Sequence, residues 1–133
     1  MTPIQIAGVL TMVVLFNVKH FLGDFLLQNE YMLGKFKKVG WQLPLLAHVA
    51  SVAQFTFWIT IITTHEIILA IALTLFDMST HLIVDRLKAS PDHFGKYKPT
   101  DRMFWLVLGC DQMLHHIVDA IIIFFILCTI MRG

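Results

Sequence analysis

Histidines and aspartates recur through this chain at a spacing of four residues. His20 and Asp24, Asp77 and His81, His81 and Asp85, Asp111 and His115, and His115 and Asp119 are all so placed. Residues at i and i+4 lie one turn apart on one helix face, so each pair presents imidazole and carboxylate together. Imidazole nitrogen and carboxylate oxygen are the usual ligands for zinc, iron or manganese. Two such ions about 3.5–4 Å apart can activate water and stabilise a displacement at phosphorus or an acyl carbon. The expected ligands are His20, Asp24, His81, Asp85, Asp111 and His115, with His48 as a further ligand or a hydrogen-bond donor to one. Asp85 and Asp111 are also the expected catalytic carboxylates. Asp77, Gln112 and Asp119 are expected to orient the imidazoles from behind, and Gln28 and Lys88 to contact an anionic substrate. The cofactor so implied is one or two divalent transition-metal ions, zinc first, with manganese or iron as alternatives.

The elements that must carry these residues are apolar. Of 133 residues, 57% are hydrophobic and 14% charged, against roughly 45–50% and ~25% in soluble domains. A net charge of +1 gives no reason to expect a nucleic-acid partner. A membrane-spanning helix needs about 20 mostly apolar residues, and four segments supply them, at about 4–28, 44–63, 67–88 and 101–131. The expected fold is an all-α membrane protein, one transmembrane domain over residues 1–133, with four helices in a compact bundle. The first segment lacks a basic flank and a cleavage site, so it is expected to stay as a helix. Cys110 and Cys128 fall on the fourth helix, ~27 Å apart at ~1.5 Å per residue, too far to pair.

The linker 29–43 combines Tyr31, Met32, Phe36 and Trp41 with Lys35, Lys37 and Lys38. That mixture suits the membrane interface, with the lysines as topology determinants and headgroup contacts. Pro44 suits the first turn of the second helix. Thr63 or Thr64 is placed to cap the third helix, and Thr100 or Asp101 the fourth. Ser90-Pro91 and Pro99 mark 89–100 as a polar loop. Basic residues collect in 29–43 and in 86–102, on one side of four spans. Basic loops stay cytoplasmic, so both termini are expected on the non-cytoplasmic side of a bacterial inner membrane. In that orientation His20, Asp24, His48, His81 and Asp85 lie in the cytoplasmic half, with Asp77 and Asp119 deeper, as a floor.

Ionisable residues inside spans face the bundle interior and mark function. One such residue alone reads more readily as a helix-to-helix hydrogen-bond partner. Repetition on three helices is what favours a shared site. Lys19 reads as a counterion for a nearby carboxylate. His116 lies about 100° around the helix from His115 and is expected to play no part. His65 and His93 read as solvated loop residues.

Four segments together carry a likeness to known sequences. They are Lys19 to Gln28, Leu45-Leu46-Ala47-His48, the set Asp77, His81, Asp85 and Lys88, and the set Asp111, Gln112 and His115. In these the chain resembles a family of small bacterial and phage inner-membrane proteins classed as domain of unknown function 3307. The resemblance covers nearly the whole chain and implies a polytopic membrane protein, without implying an activity. In pattern alone the chain is similar to bacterial membrane-bound metal-dependent hydrolases. The expected function is thus a membrane-embedded metal-dependent hydrolase acting on a phosphate- or ester-containing substrate. The rival expectations are a proton- or metal-ion transporter and a non-catalytic interaction protein, such as a phage-encoded modulator of a host membrane complex. The expected partners are the lipid bilayer, a second copy of the chain or another membrane protein.

Overall fold

The computed structural model describes residues 2–132, and all their regular structure is helical. Helix α1 spans Pro3–Phe21, α2 Gln42–Thr64, α3 Ile67–Ala89 and α4 Arg102–Ile130. Each is long and apolar enough to cross a membrane. A 23-residue helix such as α2 is about 34 Å long, slightly more than the ~30 Å hydrocarbon core. The 29 residues of α4 must tilt or project.

Local sequence explains the ends. Thr2 and Gln5 close α1 with reciprocal side-chain-to-backbone bonds, a capping box. The link between α2 and α3 is only His65-Glu66, and His65 adopts a left-handed conformation, φ 58°, which turns the chain back on itself. Neither threonine caps α3. Its N-cap is Glu66, without a side-chain bond. Thr64 instead donates to the Thr60 carbonyl and accepts from the Glu66 amide. Asp101 is the N-cap residue of α4, but its carboxylate accepts from the Lys98 amide.

The first helix departs from its expected course. The α-helix stops at Phe21, a π-helical turn runs over Leu22–Leu26, and Gln28 falls in the linker. Gly23 explains the local packing. A Cβ there would stand 2.5 Å from Val52 Cγ2, so only glycine lets this turn lie against α2.

The linker is pinned down as well as interfacial. Its 3-10 turn, Met32–Phe36, packs against the first turn of α2, where a Cβ on Gly34 would meet Pro44 Cγ at 2.8 Å. Arg86 of α3 donates to the carbonyls of Lys35 and Lys37 and lies 4.0 Å from the Trp41 ring centroid, a cation–π contact. Lys38 forms an exposed ion pair with Asp92 at 2.9 Å; hydrogen-bonded to that ammonium, the Asp92 carboxyl is held below its usual range. Lys35, expected at the headgroups, points the other way. It is 3% exposed and its ammonium reaches Asp85.

The packing is apolar outside and polar within. Ile4, Leu10, Val14, Trp58, Ile62, Ile68, Leu75 and Phe124 are exposed, while Lys19, His48, His81, Asp85, Asp111 and Asp119 are buried. In water that distribution would drive aggregation; in a bilayer it is the stable arrangement. The interior has three layers. At the end bounded by the linker and the loop after α3 lie the histidines and aspartates. Lys19 of α1, Thr56 of α2, Asp77 of α3 and Asp119 of α4 form the middle. At the other end Met12, Phe16, Leu73, Ile122, Ile123 and Ile126 form a hydrocarbon core.

Candidate metal centre

Each helix delivers its residues to the first layer by its own device. The π-turn in α1 carries Asp24; such turns insert an extra residue and re-aim the side chains beyond it, and they occur often at functional sites. The Gly23 contact brings Asp24 beside α2, where His48 stands one turn before Val52. On α3, His81 and Asp85 face inward one turn apart, and on α4 so do Asp111 and His115.

Four of these residues converge on one point. His48 Nε2 lies 3.6 Å from Asp24 Oδ1, 3.3 Å from His81 Nε2 and 3.1 Å from Asp85 Oδ2. His81 Nε2 lies 3.5 Å from Asp24 Oδ1 and 3.8 Å from Asp85 Oδ1. Donors at the corners of a tetrahedron around zinc, each ~2.0–2.2 Å from the ion, stand about 3.3–3.6 Å apart. The observed spacings, from 3.1 to 3.8 Å with both Asp85 oxygens counted, fall on either side of that value. Asp85, Asp111 and His115 form a second group, with His115 Nε2 3.5 Å from Asp85 Oδ1 and 3.4 Å from Asp111 Oδ1. Asp85 belongs to both.

Several of the atoms facing the centre have no hydrogen-bond partner. Asp24 Oδ1, Asp85 Oδ1, Asp111 Oδ1 and His115 Nε2 are buried with no hydrogen-bond partner, as is His48 Nδ1 on the far side of its ring. A buried polar atom left unpaired costs about 1–3 kcal/mol, and a cation among them removes that cost for every oxygen and nitrogen it contacts. Two lysines compensate in part. Lys35 reaches Asp85 Oδ2 and Lys88 reaches Asp111 Oδ2. With neutral imidazoles, Asp24, Asp85 and Asp111 against these two ammoniums leave one negative charge. A single divalent ion turns that into one positive charge, which suits an anionic substrate; a second ion would leave three.

Four expected site residues take other places. His20 is in neither group: its Nε2 meets Gln112 Oε1 at 2.9 Å and is 3.5 Å from Asp24 Oδ2. Gln112 also donates to Asp111 Oδ2, so it links an imidazole to a carboxylate of the site. Asp77 and Asp119 do not touch the imidazoles. Both bind Lys19, at 2.9 and 2.7 Å, and Thr56 donates to Asp77. Lys19 is thus their counterion. His116 is exposed, although its ring lies 5.1 Å from that of His20. Gln28 is half-buried in the linker beyond the π-turn. Lys35 is the residue that spacing did not reveal. Nothing in its neighbourhood separates it from Lys37 and Lys38; only the excess of carboxylates inside the spans signals that another cation is needed.

Fold and site together define a class: a small four-helix membrane protein with a polar His/Asp centre at one end of its bundle. The chain belongs to a family described as "Protein of unknown function (DUF3307)", whose model matches residues 11–132. No curated protein and no solved structure matches it.

Proposed function

We propose that the protein is a membrane-embedded metal-dependent hydrolase of a bacterial inner membrane, with its centre in the cytoplasmic half. The observation that carries this is the convergence of Asp24, His48, His81 and Asp85 on one point, with Asp24 Oδ1 and Asp85 Oδ1 buried there without a hydrogen-bond partner. These four residues would hold one divalent ion, zinc by ligand type and spacing. Such an ion polarises a phosphoryl or carbonyl oxygen and acidifies water. Asp111 and His115 stand beside the site to take up the proton of the attacking water. Lys88, paired with Asp111 and the more exposed of the two lysines, would receive an anion, and Lys35 limits the negative charge on Asp85. Eight basic side chains lie in or next to the linker and the loop after α3, which supports a cytoplasmic position for that end.

The layered interior speaks against transport. Beyond the Lys19 layer a cluster of buried hydrocarbon side chains packs the bundle, and the buried charged residues all lie on one side of it. Elemental analysis of detergent-purified protein tests the proposal. Stoichiometric transition metal is expected, lost in Asp85→Asn, because both ligand groups share that carboxylate. A metal held at about 100 times its Kd stabilises the fold by about 2.7 kcal/mol, so a chelator should lower the melting temperature. Metal-free protein with unchanged stability in chelator would sink the reading.

A further inference from the structure

The groove between α3 and α4 offers a substrate class. It encloses about 260 Å³, near the lower end of the roughly 300–1,000 Å³ of small-molecule sites. Its walls are apolar, with Leu87 of α3 and Met103, Leu106, Val107 and Leu114 of α4. The charged side chains on it are Lys88 and Asp111, and Asp111 belongs to the centre. Lys88 also lines a second cavity of about 120 Å³, roofed by Phe36 of the linker and by Phe94 and Tyr97 of the following loop. Lys88 therefore stands where an apolar groove inside the span meets a chamber at the loop end.

Its charge is available. An ammonium has three donors, and one is used on Asp111. Its side chain is 23% exposed, whereas Asp24, Asp85, Asp111 and His115 are 6% or less. An anion approaching the centre thus meets Lys88 first. The last turn of α3 and the first turns of α4 are the ends of apolar spans, where the headgroups of a bilayer would meet their chains.

From this placement we infer that the substrate is a long-chain phosphate monoester, its hydrocarbon chain in the α3–α4 groove and its phosphate on Lys88 beside Asp111. The inference rests on the hydrolase reading and names the substrate of that site. In the reaction the oxygen of water bonds to phosphorus and the ester P–O bond breaks. The departing chain oxygen takes a proton, and the products are a long-chain alcohol and inorganic phosphate. No oxidant or reductant is needed.

Cys110 lines the groove and Cys128 does not, so their alkylation gives a readout independent of turnover. In maltoside micelles, dodecyl phosphate at about ten times its Kd should slow Cys110 alkylation about tenfold, leaving Cys128 unchanged. Dodecanol and inorganic phosphate should each protect far less. Lys88→Gln should reduce protection by dodecyl phosphate to that by dodecanol. Leu106→Trp, which fills the groove, should abolish it while leaving the rate of Cys128 alkylation unchanged. Equal protection by dodecanol and dodecyl phosphate overturns the inference, as does hydrolysis with no dependence on chain length; the second result leaves the hydrolase reading standing. Protection without hydrolysis of any phosphate supports the groove as the chain's site and counts against the hydrolase reading alone. Cys110-to-Cys110 crosslinking that dodecyl phosphate does not compete away would give the groove to a second copy of the chain and overturn the inference.

Discussion

Lys35 and Lys19 show how a buried ammonium does opposite work in two settings. The Lys35 ammonium rests on Asp85, the carboxylate shared by both ligand groups. It occupies an oxygen and adds positive charge where a metal ion would bind. Lys35→Met should therefore tighten metal binding. Charge-assisted hydrogen bonds contribute about 1.5–3 kcal/mol, so at ~1.4 kcal/mol per decade the gain should be about tenfold or more, measured by competition with a calibrated chelator. Weaker binding would mean that Lys35 positions Asp85 rather than competing for it. Lys19 touches no part of the candidate centre. It sits between Asp77 and Asp119, and Lys19→Met would leave both uncompensated. Breaking a buried ion pair from one side costs about 3–5 kcal/mol, seen as a lowered melting temperature. Combining it with Asp77→Asn and Asp119→Asn should recover most of that loss, and metal stoichiometry should be unchanged throughout.

Among the elements, the π-helical turn of α1 is the one on which the site depends most. Without it, Asp24 would follow the regular helical path set by His20. The turn is held by the approach of Gly23 to Val52. Gly23→Ala should push α1 and α2 apart, at about 1–3 kcal/mol for overpacking. It should also weaken metal binding, because Asp24 and His48 move with those helices. Val52→Ala in the same chain removes the clashing methyls, and the double variant should regain metal binding relative to Gly23→Ala alone. If it does not, the turn is set by something other than this contact. The linker and α3 form a comparable unit, in which Arg86 fixes the backbone that carries Lys35.

At the level of the whole molecule, even numbers of spans and one-sided basic loops make a single statement about topology. Helices α1 and α3 run one way and α2 and α4 the other, so the start of α1 at Pro3 and the end of α4 at Ile130 lie at the end of the bundle opposite the candidate centre. Reporter domains fused at either terminus should report the same, non-cytoplasmic side, and a tag inserted in the loop after α3 should report the cytoplasm. Reporters at the two termini on opposite sides would require an odd number of spans. The same arrangement leaves the polar interior closed at one end by Met12, Phe16, Ile122 and Ile126, as suits a site entered from one face.

Sequence alone determined the class of fold, because a bilayer imposes a length and an apolarity that can be counted along the chain. Four apolar segments, a polar loop after the third and a linker mixing aromatic and basic residues were all legible. So was the gathering of His81, Asp85, Asp111 and His115 on inward faces, because four-residue spacing fixes direction within a helix. The same spacing could not separate ligand from neighbour. His20 and Asp24 share a face and remain 3.5 Å apart, yet only Asp24 joins His48 in a ligand group, while His20 pairs with Gln112. Asp77 obeys the same rule as Asp85 and ends on Lys19. Lys35 looked like its neighbours Lys37 and Lys38 until the linker folded onto α3 and turned it inward. Those outcomes depend on how helices approach and rotate against one another and on which charges then meet. Such contacts join residues far apart in the chain, so no local pattern records them.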